Sequence, residues 1–227
     1  MERHEFLEVT LRISLAKYFE ENKVATEAEA VERMTNDYWK VLEERVIREL
    51  PYLYDPHQWR VDKYWNEPCD NIMKAYAPLF KNLFDRYGGM AKKPGQQAVV
   101  TVDEFTEMIM DSGIINDSFT APEIPICFNQ ALELFVNEVD SDKYSFAQYP
   151  EFLEAIARSC DESSMPMHDA PDTPLAERQS LPLHVKIDNA IPFLLKNCTP
   201  KGFSEKYPHP KKHTGVGLYI LSNGKFW

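Results

Sequence analysis

The sequence predicts an all-helical protein. Apolar residues recur at three- and four-residue spacing along most of the chain, and prolines and glycines close those runs. Extended character is confined to two short stretches, 99–102 and 216–221. The 227 residues are 44% hydrophobic and 27% charged, too apolar for a disordered chain and enough for one large domain or two small ones.

The elements follow in order. Residues 5–20 place Phe6, Val9, Ile13, Ala16 and Tyr18–Phe19 at helical spacing. Thr26 precedes Glu27 and Glu29, and Thr35 or Asn36 is positioned to cap a helix over 36–50 that Pro51 stops. Its stripe is Tyr38, Leu42, Val46 and Leu50. Residues 51–68 are aromatic and proline-broken, with a short helix over 57–65. A helix over 69–87 carries Ile72, Tyr76, Leu79–Phe80, Leu83–Phe84 and Tyr87, and Gly88–Gly89 ends it. After the extended stretch at 99–102, Asp103 and Glu104 open a helix through Met110. Helices are expected over 122–138 and 150–160, a polar linker over 161–180 and a helix over 182–197. The organisation read from this is a partial helical module at 1–68, a helical pair at 69–162, a linker at 163–180, a helix at 181–198 and an irregular tail at 199–227.

A formal charge of −11, from 36 acidic and 25 basic side chains, argues against a protein that binds nucleic acid over its whole surface. No run of 18 apolar residues reads as a membrane span, and the first twenty residues read as an amphipathic helix rather than a signal peptide. Cys69, Cys127, Cys160 and Cys198 are scattered without a CxxC pair and read as buried free thiols of a reducing cytoplasm. Six dispersed histidines and no HExxH, GxSxG or P-loop leave no catalytic constellation. The reading is therefore non-enzymatic, with no cofactor.

One motif repeats. Glu5-Phe6-Leu7-Glu8 with Arg12 recurs as Glu151-Phe152-Leu153-Glu154 with Arg158, each opening a helix. If the motif closes a unit, the first unit lacks its earlier half, through truncation or because another polypeptide supplies it.

The regions before Glu104 and Glu151 resemble EF-hands: helix, loop, short hydrophobic link, then Glu-Phe at the next helix. With Glu104 at position 12, Val100 and Val102 occupy the hydrophobic link, but Lys93, Gly95 and Gln97 stand at ligand positions 1, 3 and 5. Calcium needs hard anionic oxygens there, so this loop is expected to have lost the ion. With Glu151 at position 12, Asp140 and Asp142 fall at positions 1 and 3, followed by Tyr144 at 5 and Ser145 where the turn glycine belongs. Asp140, Asp142 and Glu151 are the weak metal candidates. Phe146 lies one place before the expected apolar site, so a distorted loop is expected.

The succession LFKNLFDRY, VTVDEFTEMIMDSGII, a Phe-bearing helix and FAQYPEFLEAIAR resembles the EF-hand-like modules of axonemal proteins in cilia and flagella. Residues 6–19, FLEVTLRISLAKYF, are similar to the closing element of a preceding module. The resemblance implies a degenerate EF-hand pair with a further partial module. It also implies a structural component of the ciliary doublet microtubule, possibly (as a microtubule inner protein) within its lumen, in contact with tubulin and other axonemal proteins. The alternative is a calcium-responsive EF-hand subunit of a kinase or phosphatase.

Two segments are candidates for partner binding. The tail reverses the charge of the chain, with Lys201, Lys206, Lys211 and Lys212 beside Tyr207, Tyr219, Phe226 and Trp227, and suits an acidic surface such as tubulin. Residues 52–65 hold Trp59 and Trp65 among three tyrosines, to pack over a core or to meet a partner.

Overall fold

The computed structural model describes residues 3–45, 52, 55–88, 98–132, 145–167 and 170–206. These residues are mostly helical, and they fall in two compact units divided between Gln58 and Trp59.

The smaller unit is a helical hairpin. Helix α1 (Arg3–Ser14) continues through a π-helical turn at Leu15–Phe19. After a turn, α2 (Glu27–Met34) passes through a second π-helical turn (Thr35–Trp39) into α3 (Lys40–Arg45). The expected break at Thr35–Asn36 is absent. The start lies at Thr26, whose hydroxyl accepts from the Glu29 N–H while Glu29 reaches back to the Thr26 N–H, a complete capping box. Residues 46–51 lie outside the described residues. Ser14, Tyr18 and Ala30 are buried between the helices, and the Tyr18 hydroxyl donates to Asp37 Oδ2 at 2.9 Å.

The larger unit begins at the C-terminal end of α4 (Pro56–Trp59), which continues as a π-helical turn over Arg60–Tyr64. The single helix expected over 69–87 is two, α5 (Glu67–Ala75) and α6 (Ala77–Tyr87). Asn66 caps the first by accepting from the Cys69 N–H at 3.0 Å. The break at Tyr76 is where Pro78 enters the first turn of α6 and removes a backbone donor. Gly88 ends α6 in a tight approach, since a Cβ there would lie 2.8 Å from Val100 Cγ2.

Strand β1 (Val100–Thr101) leads directly into α7 (Val102–Ser112), which ends at Gly113 with φ +74°. Helix α8 covers Glu123–Ala131, shorter than expected, because Leu132 is already extended; residues 133–144 lie outside the described residues. Strand β2 (Phe146–Ala147) precedes α9 (Tyr149–Ser163). The two strands pair antiparallel, Val100 opposite Ala147 and Thr101 opposite Phe146. The pairing is regular: small Ala147 fills the buried place and Phe146 stays half-buried, so the off-register phenylalanine does not displace the strand.

Within the expected linker, Asp161–Ser163 complete α9, and a short α10 (Leu175–Gln179) follows. Helix α11 (Leu183–Asn197) packs on α5, α7 and α9, and α12 (Phe203–Lys206) follows. The core lies between these helices. Phe80, Phe105, Phe128 and Phe152 are fully buried, as are Ile187, Ile191 and Leu194 of α11. The strand expected at 216–221 lies outside the described residues.

Thr101 caps α7 with the same reciprocal box as Thr26, accepting from the Glu104 N–H at 3.3 Å and donating its own N–H to Glu104 Oε2 at 2.8 Å. Thr101→Ala is expected to lower stability by about 1 kcal/mol in urea unfolding, with Thr101→Ser retaining most of it. Equal loss in both variants would mean that the hydroxyl is not what matters.

Candidate partner-binding site

The two acids read as last-position loop ligands both act on backbone. Glu104 Oε2 accepts from the Thr101 N–H and hydroxyl, while Glu104 Oε1 is buried without a hydrogen-bond partner among the described residues. Glu151 Oε2 accepts from the Gln148 N–H at 2.7 Å and completes the capping box of α9. Asp140 and Asp142 lie outside the described residues. Among the described residues no group of three or more His, Cys, Asp or Glu side chains is placed to hold a metal ion.

Trp59 is not an exposed anchor. It is 3% exposed, its indole N–H donates to Asp161 Oδ2 at 2.8 Å, and the Arg158 guanidinium stacks 4.0 Å from its ring centre. Burying a large ring with its one donor satisfied is the core-packing outcome for this aromatic segment. Trp65 behaves oppositely. At 58% exposure it borders a groove of about 580 Å³ walled by Tyr64, Met73, Ala77, Tyr149 and Leu153, with Glu67, Asp70 and Lys74 also lining it. An aromatic-lined groove suits an apolar side chain, and its charge is mixed because Lys74 pairs with Asp70.

Lys201 and Lys206 are exposed, the latter at the end of α12. Tyr207, Lys211, Lys212, Tyr219, Phe226 and Trp227 lie outside the described residues. The structure therefore brings Trp65 to a groove, takes Trp59 into the core and leaves the two described lysines on the surface.

A polar network escapes the sequence reading. Asp161 on α9 receives Lys186 Nζ on its Oδ1 at 2.7 Å, and Lys63 Nζ on its Oδ2 at 2.7 Å. Two helical turns earlier, Glu154 receives Arg60 Nε at 2.8 Å and Arg158 Nε at 2.9 Å, while Arg60 also donates to the Gln130 and Ala131 carbonyls. The network clamps the 59–64 turn and α11 onto α9. Its signal was Lys186 within the apolar set of α11, and Glu154, Arg158 and Asp161 recurring at helical spacing. All four cysteines are buried free thiols. Burial pushes Cys127 up to about 12 and raises the other three, so none supplies a thiolate at neutral pH.

The smaller unit carries the largest run of exposed apolar side chains on one helix. Phe6, Leu7, Val9, Leu11 and Ile13 of α1 are all between 41% and 66% exposed. Half-buried Thr10, buried Ser14 and, in the following turn, buried Tyr18 face the neighbouring helix, and Phe6 meets the Trp39 ring edge-on at 5.6 Å. No helix among the described residues is long and apolar enough to cross a membrane.

No family model, curated protein or solved structure matches this chain.

Proposed function

We propose that the chain is a non-enzymatic structural component of the ciliary doublet microtubule, a microtubule inner protein. In this reading it is built on a degenerate EF-hand pair and binds tubulin or neighbouring axonemal proteins without calcium. The observation that carries the reading is the strand register. Val100 and Ala147 are each the eighth residue of a twelve-residue window ending at Glu104 and Glu151, and they pair with each other. Helices α6 and α7 flank the first window, and α8 and α9 flank the second. A joint between two EF-hand loops has this symmetry. The acids at position 12 acting as helix caps, together with Lys93 at position 1, support a fold kept without its ion.

Function then rests on surfaces. Exposed Lys201 and Lys206, before and at the end of α12, and the basic aromatic tail beyond suit the acidic surface of tubulin, and Trp65 with its groove offers a second contact.

The test is co-sedimentation of the full chain with doublet microtubules, in calcium and in chelator, beside a chain ending at residue 206. Equal pelleting of the full chain in both conditions, with weaker pelleting of the shortened one, is expected. Pelleting that appears only with calcium, or no pelleting at all, would reject the proposal.

A further inference from the structure

We propose that the outward face of α11 and the turn after it form a groove for a short acidic peptide segment. One apolar side chain of that segment enters beside Phe193, and its carboxylates meet Lys196 and Lys201. The inference does not rest on the axonemal reading, with which it shares only Lys201.

Helix α11 gives one face to the core, through Ile187, Ile191 and Leu194. Asn189, Phe193 and Lys196 recur at four and three residues and fall on the opposite face. They line a groove of about 530 Å³ whose other wall is Pro166, Met167 and Pro171, from the segment after α9. A second hollow of about 390 Å³ continues past the end of the helix, lined by Leu195, Pro200 and Lys201. Pro192 and Lys196 line both, so the two halves are continuous.

The first half is apolar, with one unspent polar group. Asn189 Nδ2 is buried in its wall without a hydrogen-bond partner among the described residues. A buried donor left unpaired lowers stability, and a ligand carbonyl that reaches the amide, or turns it outward, removes that loss. The second half is cationic. Lys196 and Lys201 are exposed, and neither makes an ion pair among the described residues. No Asp or Glu is among the described residues that line either half. Lysines at a helix C-terminus often serve the open carbonyls there. Here other groups do so. The Cys198 N–H donates to the Leu194 carbonyl at 3.0 Å, the Thr199 hydroxyl to the Leu195 carbonyl at 2.5 Å, and Arg86 to the Cys198 carbonyl at 2.9 Å. The two ammonium groups are left for a ligand.

These features define the occupant. A peptide supplies a side chain for the apolar half, a backbone carbonyl for the amide and carboxylates for the lysines. An extended polyanion is a worse fit. The chain carries −11, which repels nucleic acid or an anionic membrane as a whole, whereas a short acidic segment meets only the local field. Residues 207–227 of this chain have the wrong sign, because they include Lys211, Lys212 and Lys225 and no Asp or Glu.

The experiment selects a phage-displayed library of random peptides on the full chain and measures the enriched peptide by fluorescence anisotropy. Enriched peptides are expected to join an apolar residue to a run of acids. Lys196→Glu with Lys201→Glu should weaken binding about tenfold or more, with helical circular dichroism unchanged. Lys74→Glu, an exposed charge reversal at the other groove, should leave it within about twofold. Asn189→Leu separates binding from structure. It should weaken the peptide several-fold while thermal stability holds or rises, because an orphan donor has been removed. Failure to enrich any peptide overturns the inference, as do enriched peptides without acids or without an apolar residue. So do affinity that survives reversal of both lysines, equal loss in Lys74→Glu, and lysine-dependent binding of an oligonucleotide or a phosphatidylserine vesicle in place of a peptide. The axonemal proposal fails separately. Pelleting with doublets but no such peptide would sink this inference alone, and the peptide without pelleting would sink that reading alone.

Discussion

Asp161→Ala is expected to destabilise the larger unit by roughly 3–5 kcal/mol in urea unfolding at neutral pH, a large fraction of the stability of a typical domain. The loss comes from what the substitution leaves behind. Lys186 is 4% exposed at its side chain and sits among Leu183, Ile187 and Ala190 of α11, so its ammonium cannot turn to water. Without the carboxylate it keeps, among the described residues, only the Asp161 carbonyl at 3.3 Å. Lys63 is 33% exposed and rehydrates more easily, so Lys63→Met is expected to cost clearly less. The double variant Asp161→Ala with Lys186→Met discriminates between mechanisms. Removing both charges should recover most of the loss, because the penalty belongs to the uncompensated ion rather than to the missing contact. Additive losses would refute this. Burial alone would raise the Asp161 pKa, but the ammonium groups of Lys186 and Lys63 outweigh it and hold the carboxyl below its ordinary value. A carboxyl with a lowered folded pKa stabilises above its unfolded value, near about 3.9, and loses that contribution as pH falls through the folded value. The stability gap between the native chain and Asp161→Asn should therefore narrow below about pH 4. A gap that stays constant under acid would rule out the ion pair as its source.

Helix faces were legible in the sequence because burial on one side of a helix repeats every three or four residues. Leu79, Phe80, Leu83 and Phe84 are buried as their spacing predicts, and so are Ile187, Ile191 and Leu194. The joint at Val100 and Ala147 was half legible: the placement of Val100 followed from Glu104, but the off-register Phe146 pointed to a distortion that Ala147 avoids. Boundaries were harder. Pro78 was visible, yet the periodicity runs straight across Tyr76 and hides the break that the missing donor makes. Thr35 and Asn36 look like a cap, but the capping box formed by Thr26 and Glu29 had already started that helix. The polar network was out of reach because its partners are far apart along the chain. Trp59 meets Asp161 from 102 residues away, and Arg60 meets Glu154 from 94. Asp161 opens a polar, proline-rich stretch, so composition assigns it to solvent. Only packing against the 59–64 turn and α11 makes it a buried centre. For the same reason Trp59 and Trp65, six residues apart, cannot be sorted by sequence. Whether a ring faces inward depends on what waits for its N–H.

Phe152→Ala and Phe6→Ala are expected to differ by several-fold in effect, although both replace the phenylalanine of an identical Glu-Phe-Leu-Glu motif. Phe152 is fully buried and meets Phe84 edge-on at an interplanar angle of 65°, and Phe105 at 87°. Phe105 in turn lies 5.4 Å from Phe128, so the ring of Phe152 connects α6, α7 and α8 to α9 through one aromatic cluster. Removing it takes away the transfer energy of the ring and leaves a cavity that three helices cannot collapse to fill, about 3–5 kcal/mol. Phe6 is nearly half exposed and, among the described residues, meets one ring, Trp39, edge-on at 5.6 Å, so its removal should lower stability by about 1 kcal/mol. Urea unfolding of both variants in the isolated chain measures the contrast. Comparable losses would mean that α1 is already part of a closed core.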